Sequence, residues 1–503
     1  MRRAAETGEP LPADVAVIGA GVVGTAIARA LAAQDVSCVL VDAANDVGTG
    51  TSKANTAILH TGFDAVPGSL ESRLLRRGYE LLGEYARRAG IPVERTGALL
   101  VAWTQEQVAE LPAIEDKARR NGVTDVHRIG VDELYRREPA LGPGALGALV
   151  IPGESIICPW TTPLAYATQA LAAGARLRLR SRVTAIRAGA ALGGVVGPEL
   201  AERGVVGPEP AEYQVVTTTG VVRCRWVVNA AGLYSDAVDA MMGGDRFTIC
   251  PRRGELIVFD KLARPLLSSI LLPVPTARTK GVLVAPTVYG NVLLGPTAED
   301  VPDPGDVATT AAGLASLMDA GRRILPGLAA EEVTATYAGL RAATAERDYQ
   351  IWVDGSRRYA CVAGIRSTGL SASLAIAEYV TGLLADAGLR LARRTEPDPP
   401  VMPYIGQAGT RPYQDAARIA ADPEYGRIVC HCERVTRGEI RDALAGPLPP
   451  ADIDGLRRRT RVLNGRCQGF YCAATVAQLF AGSRLPAYAA AAAEQSPAAE
   501  SPA

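Results

Sequence analysis

The sequence predicts a mixed α/β (α+β) protein: a two-lobed main body followed by a small, helical, cysteine-bearing unit. Three observations carry this. Short β-branched runs alternate with helical stretches as far as about Ala387, a glycine-rich turn (GAGVVG, Gly19–Gly24) joins the first strand to the first helix, and Cys430, Cys432, Cys467 and Cys472 gather near the C-terminus. The 503 residues suffice for roughly three domains of ordinary size. Fifty-three basic side chains balance fifty-three acidic ones, so no global charge favours nucleic acid or an anionic membrane surface. The longest apolar stretch, Val15–Ala28, is too short to span a bilayer, and Glu6, Glu9 and Asp14 interrupt any signal-peptide core. A cytoplasmic protein is expected, any contact with the inner face of the membrane being peripheral and through a partner. Nine cysteines in so long a chain are no disulfide scaffold, and their odd number in a reducing compartment points to metal or redox chemistry.

Residues 1–13 and the Pro-bearing tail 485–503 lack apolar periodicity and are expected to be disordered. DVAVIG is the first strand, the turn Gly19-x-Gly21-x-x-Gly24 leads into an Ala-rich helix, and CVLV, ending in Asp42, is the second strand. In that order the residues make a dinucleotide site. Gly19 permits the tight turn, Gly21 lets pyrophosphate approach the helix N-terminus, Gly24 lets helix and strand pack closely, and Asp42 accepts from ribose hydroxyls. The loop Val47–Phe63, with Thr51, Ser52 and Asn55, is a run of hydroxyl and amide groups suited to further phosphates and a flavin ring. A helix is expected over Ser69–Arg88. The near-repeats GVVGPEL (Gly194–Leu200) and GVVGPEP (Gly204–Pro210) read as a duplicated hairpin loop without a chemical role. RWVVNAAGLYSD runs a strand into a glycine turn at Ala230 and Gly232, with Ser235 capping the next helix; ELIVF, VLVAP and NVLLG are further strands. AGIRSTGLS makes a third strand-to-turn unit with Gly364 and Gly369, its helix N-terminus placed to stabilise negative charge on a reduced flavin. FAD and NAD share the first fingerprint, but three such units in this order favour FAD. Residues 390–424, opening with RLARRTEPDPPV, read as a charged, proline-rich linker.

The segments GAGVVG with Asp42, TSKANTAILHTGFD, PRRGELIVFDK, GVLVAPTVYGNVLLGPTAED, YAGLRA and AGIRSTGLSASLAIAEYV together resemble the D-amino-acid-oxidase-like FAD oxidoreductases. Within that superfamily they are most similar to glycerol-3-phosphate dehydrogenases of the anaerobic, iron–sulfur-bearing kind, and L-2-hydroxyglutarate dehydrogenases share much of the pattern. The resemblance covers residues 14 to about 480. It implies a Rossmann-like FAD domain interleaved with an antiparallel-sheet substrate domain over 14–389. Val183 joins Gly19, Gly21, Gly24, Asp42, Thr51, Ser52, Asn55, Ala230, Gly232, Gly364 and Gly369 as expected cofactor contacts.

Cys430-His-Cys432 and Cys467-Gln-Gly-Phe-Tyr-Cys472 place four thiolates within about sixty residues, which suits a [2Fe-2S] cluster or a zinc ion, and the tight CxC pair favours the cluster. Their surroundings, YGRIVCHCERVTRGEI and TRVLNGRCQGFYC, resemble the bacterioferritin-associated-ferredoxin-like domain of the same dehydrogenases, here at 425–484. Cys38, Cys158, Cys224, Cys250 and Cys361 read as small buried hydrophobes, and His431 is given no role. A flavin takes two electrons at once and a cluster passes one at a time, so the pair suits a dehydrogenase better than an oxidase.

An anionic substrate needs fixed cations, for which the family pattern singles out Arg252, Arg253, Lys280, Arg341 and Arg366, with Arg341 expected over the flavin face. His60 follows the hydroxyl-rich loop and is the expected base for the carbinol proton, a flavin-positioning role being equally open; His127 is expected at the surface. The expected reaction is oxidation of sn-glycerol 3-phosphate to dihydroxyacetone phosphate. L-2-hydroxyglutarate or another 2-hydroxy acid is the alternative substrate, and a non-catalytic FAD/iron–sulfur electron-transfer subunit the alternative of another class. Electrons would leave to a partner subunit or redox protein and on to the quinone pool, across a basic surface of Arg434, Arg437, Arg461 and Arg466. FAD binding is expected to survive loss of everything after Leu389, because its three motif groups precede Ala387.

Overall fold

In the computed structural model, residues 10–189, 212–275 and 281–483 are described; the duplicated GVVGPE segment and Lys280 lie outside them. The strand Leu11–Ile18 begins three residues before the expected domain boundary and lies at the centre of an eight-stranded sheet. Its last four residues are all buried, as a strand covered on both faces requires. It pairs in parallel with Cys38–Val41 on one side and Gly220–Asn229 on the other, and Arg176–Arg178 and Tyr359–Ala363 extend this parallel core. The turns after three of these strands therefore open on one edge of the sheet, where ligands of such folds bind. Helices Val22–Ala32 and Gly369–Asp386 start from that edge and pack against each other.

The second sheet has nine strands. It is antiparallel as expected except where Ile270–Pro273 runs parallel to Ala98–Val101. Its long strands Cys250–Phe259 and Val333–Ala343 pair with Arg252 opposite Arg341 and Gly254 opposite Gly339. Because side chains alternate along a strand, this register decides which arginine faces the site.

Two boundaries are corrected. Residues 390–405 are not a free linker but a strap bound to the main body. Glu396 pairs with Arg29, the Pro397 carbonyl accepts from Gln169 Nε2 at 2.7 Å, Met402 N–H donates to the Ala89 carbonyl at 2.8 Å, and Leu389, Met402 and Ile405 are buried. The C-terminal unit also starts earlier than residue 425: Arg411 is 1% exposed and donates to Glu439 at 2.8 Å, and Arg418 lies over the Tyr425 ring. The unit consists of a two-stranded ribbon (Ile428–Cys430 with Val435–Thr436) and helices Arg437–Ala445, Ile453–Thr460 and Ala473–Ala481. Among the described residues no helix is long and apolar enough to cross a membrane.

The expected helix at Ser69 forms over Leu70–Ala89, with the Ser69 hydroxyl accepting from the Ser72 N–H and left-handed Gly90 ending it. Ser235, by contrast, caps no N–H group; its hydroxyl donates to the Gly232 carbonyl. Leu70–Ala89 crosses Gly369–Asp386 so closely at Gly78 that a Cβ there would stand 2.4 Å from the Ser371 carbonyl oxygen. Gly78→Leu is therefore expected to destabilise the protein by about 1–3 kcal/mol, read as a lower midpoint of denaturant unfolding, and to displace Ser371 from the site it lines.

Candidate active site and cluster site

The glycine turn is built by close approach. Gly19 has φ +106°, a conformation side chains disfavour, and a Cβ on Gly24 would lie 1.8 Å from the Gly19 carbonyl oxygen. Asp42 accepts from the N–H groups of Ala20 and Ala44 and so fixes the turn; burial raises its pKa, against those two hydrogen bonds and the charge of Arg182. At the helix start Val22 N–H donates to Ser52 Oγ at 2.9 Å, and Thr51 Oγ1 donates to the Leu340 carbonyl at 2.8 Å, tying the hydroxyl-rich loop to the first helix and to the second sheet.

These groups line a cleft with Gly21, Asn55, Ala230, Gly232, Gly364 and Gly369. A backbone-rimmed cleft at the N-termini of two helices fits an FAD pyrophosphate and ring. Gly19, Gly24, Asp42 and Val183 are not in its lining; the glycines shape the turn, and Val183 is partly buried against the hydrophobic cluster of the first sheet, so its expected cofactor contact is not formed within this cleft.

The cleft opens into a larger cavity of about 670 Å³, and Arg341 lines both. Its guanidinium has no hydrogen bond or ion pair among the described residues, and burial, then the charge of Arg252, lowers its pKa. Arg366 also lines both spaces; its Nη2 donates to the carbonyls of Thr344 and Glu346, and its buried Nε has no partner among the described residues. Arg253 is corrected. Strand alternation turns it away from the cavity, and Glu299 and Asp306 hold it at 2.5 and 2.9 Å. Arg252 faces the cavity instead and pairs with Asp300.

His60 lines the cavity between two carboxylates, with Nδ1 2.8 Å from Glu154 Oε1 and Nε2 3.0 Å from Asp64 Oδ1. Burial opposes its charged form, but the charge of Glu154 and the hydrogen bonds of Asp64 and Glu154 outweigh it and raise the pKa to about 10. At neutral pH His60 is thus an imidazolium with both nitrogens engaged, not the free neutral base expected from sequence. Glu154 and Asp64 were not singled out beforehand. Asp64 lies four residues after His60, a legible spacing, whereas Glu154 arrives from a strand turn ninety-four residues away. His127 is exposed as expected, and Cys250, read as buried, is exposed and lines the cavity.

The four C-terminal cysteines come together. Cys432 interacts with Cys467 and Cys472 with Cys430, two facing pairs, while no three such side chains among the described residues are arranged to hold a single metal ion. The N–H of Tyr471, then the Cys432 thiol and the N–H groups of Gly469 and Phe470, lower the pKa of Cys467 against its burial, favouring the thiolate that a cluster needs. Two facing thiol pairs with converging N–H groups fit a [2Fe-2S] centre. The expected basic surface is reduced: Arg461 is buried, Arg466 pairs with Asp260 and Arg437 with Glu424, while exposed Arg434 donates to the neutral Tyr413 hydroxyl. Phe470 and Tyr471, 83% and 75% exposed, stand there instead.

The chain matches the family described as FAD dependent oxidoreductase over residues 14–383, and the BFD-like [2Fe-2S] binding domain over residues 428–482. It therefore belongs to the FAD-dependent oxidoreductases, as a member carrying an appended [2Fe-2S] domain. It is 32% identical to the glycerol 3-phosphate dehydrogenase of Caloramator mitchellensis over 472 residues, 93% of this chain and 94% of that one. With the mitochondrial L-2-hydroxyglutarate dehydrogenase of Homo sapiens it shares 29% identity over 294 residues, 57% of this chain and 60% of that one. The dithionite-reduced L-alpha-glycerophosphate oxidase of Mycoplasma pneumoniae, with FAD bound, superposes with a TM-score of 0.69 at 26% identity, covering 77% of this chain and 98% of that one.

The charge on His60 has a measurable signature. Its folded pKa of about 10 lies above the model-peptide value of 6.5, so the folded chain keeps a proton that the unfolded chain loses between them. That stabilisation is complete below about pH 6.5 and is lost as pH rises toward 10. Thermal unfolding should show the parent ahead of Glu154→Gln by a margin that shrinks from pH 6 to pH 10; an equal margin at both would mean that His60 is not held charged.

Proposed function

We propose that this protein oxidises the secondary carbinol of sn-glycerol 3-phosphate to dihydroxyacetone phosphate and exports the electrons through its flavin and [2Fe-2S] cluster to a partner that feeds the quinone pool. The observation that carries this reading is Arg341, a guanidinium without a counter-ion among the described residues, where the flavin cleft meets the substrate cavity. A half-buried cation of this kind is completed by an anionic ligand, and a phosphate offers the planar fork several oxygens. Arg366 supplies a second set of donors beside it. With FAD bound, the flavin supplies a two-electron hydride acceptor next to this cavity.

The remaining work belongs to the chain's own side chains. Arg341 and Arg366 fix the anionic end of the substrate, and His60, Glu154 and Asp64 line the same cavity as one hydrogen-bonded group. The carbinol proton passes to that group. This replaces a lone neutral His60 as the proton acceptor.

The second reading, a 2-hydroxy-acid dehydrogenase, draws on the same cavity. Four arginines line it, Arg252, Arg341, Arg347 and Arg366, which also suits a substrate with two carboxylates. Anaerobic mixing with a panel of anionic alcohols separates the readings. Glycerol 3-phosphate should bleach the flavin absorbance; bleaching only by 2-hydroxy acids would overturn the substrate assignment, and bleaching by none would leave an electron-transfer subunit. Loss of one charge-assisted partner costs on the order of 2–5 kcal/mol, so Arg341→Ala should lower the rate of flavin reduction at subsaturating substrate at least about thirtyfold.

A further inference from the structure

We infer that the cluster-bearing domain holds the flavin loop in its binding conformation, so that FAD and the [2Fe-2S] cluster bind cooperatively through a buried charged contact centred on Asp46. Asp46, 2% exposed, belongs to the main body and opens the loop that carries Thr51 and Ser52. Its carboxylate receives Arg459 Nη1 at 2.6 Å and Nη2 at 2.8 Å, and Arg458 Nη2 at 2.9 Å, all from the C-terminal domain. Arg459 is itself anchored at home by the carbonyls of Leu448 and Gly455. Two residues after Asp46, the Gly48 N–H donates to the Ala20 carbonyl inside the glycine turn, so the contact reaches the phosphate site through one short segment.

The far end of the same loop is held independently. Trp160 Nε1 donates to the Lys53 carbonyl at 3.2 Å, Trp160 stacks on Tyr289 with centroids 4.9 Å apart, and the Arg461 guanidinium lies 4.3 Å from the Tyr289 centroid. Arg461 in turn binds Glu433, the residue after Cys432. Beside the other ligand pair, Arg466 pairs with Asp260 and Gln468 Nε2 donates to the Thr334 carbonyl at 2.6 Å. Glu433, which pairs with Lys261 of the main body, and Arg466 and Gln468 are thus immediate chain neighbours of Cys432 and Cys467, while Arg458, Arg459 and Arg461 precede Cys467 by six to nine residues. Ordering of those segments by a cluster presents Glu433, Arg461, Arg466 and Gln468 to the main body; their release would leave Asp46 and its loop less fixed. This reverses the expectation that FAD binding is indifferent to the C-terminal unit. By linkage, each cofactor must favour the other by the same factor.

Asp46 and Arg459 are positioning residues here, and the test separates positioning from general stability without using substrate. In the full-length protein stripped of FAD, the Kd for added FAD is measured by quenching of flavin fluorescence, with the cluster intact and after anaerobic iron chelation. FAD should bind about tenfold more weakly after chelation. In Arg459→Met that ratio should fall to near one, with part of it restored in Arg459→Lys, and bound FAD should slow cluster loss to the chelator in the parent but not in Arg459→Met. A purely structural role would weaken FAD equally with and without the cluster. Equal affinities in the parent, or an undiminished ratio in Arg459→Met, overturn the inference; the parent comparison needs no substitution and stands whatever the variant's folding.

Discussion

Half-burying a guanidinium without giving it a counter-ion among its neighbours costs a fold stability, and the wall of the large cavity of this protein is organised around one such group, Arg341. The strand pairing that sets Arg252 opposite Arg341 fixes which arginines meet the cavity. Arg252 is neutralised by Asp300, and Arg253, on the other face, by Glu299 and Asp306. Arg341 alone of the three has no such partner among the described residues, and Thr51 is bonded to its neighbour Leu340, so the flavin loop and the anion site are fixed relative to each other. In the proposed function, the cost of that unpaired charge is offset by the anionic end of the substrate.

The cavity is lined by Arg341 and Arg366 as well as by Glu154 and Asp64, with the His60 imidazolium between the two carboxylates. The carboxylates that hold His60 charged leave neither ring nitrogen free, so the proposed proton acceptor is the hydrogen-bonded group and not a lone imidazole.

The parts legible in sequence were those whose chemistry is local. Gly19, Gly21 and Gly24 serve a backbone geometry within a few residues, and the CxC and CxxxxC spacings mark the four cysteines as a set, although the thiols face each other across the two motifs, Cys432 with Cys467 and Cys430 with Cys472. What sequence could not show depended on pairing between distant segments. The choice of Arg252 over Arg253 hangs on strand register, and the charge of His60 on Glu154. The expected basic surface is largely neutralised because Arg461, Arg466 and Arg437 find carboxylates in other segments. The proline-rich stretch after Arg390 looked like a linker because its hydrogen-bond partners, among them Gln169 and Ala89, lie on helices far away in the chain.

In the proposed function one chain carries a reaction from carbinol to cluster, with a firmly docked C-terminal domain as the second station. Electron paramagnetic resonance after anaerobic rapid mixing tests this most directly. Glycerol 3-phosphate added to the full-length protein holding both cofactors should bleach the flavin and then give the signal of a reduced [2Fe-2S] centre, without any added mediator. Flavin bleaching with a cluster that stays oxidised, together with rapid peroxide formation once oxygen is admitted, would contradict it and make the protein an oxidase whose C-terminal domain serves another purpose.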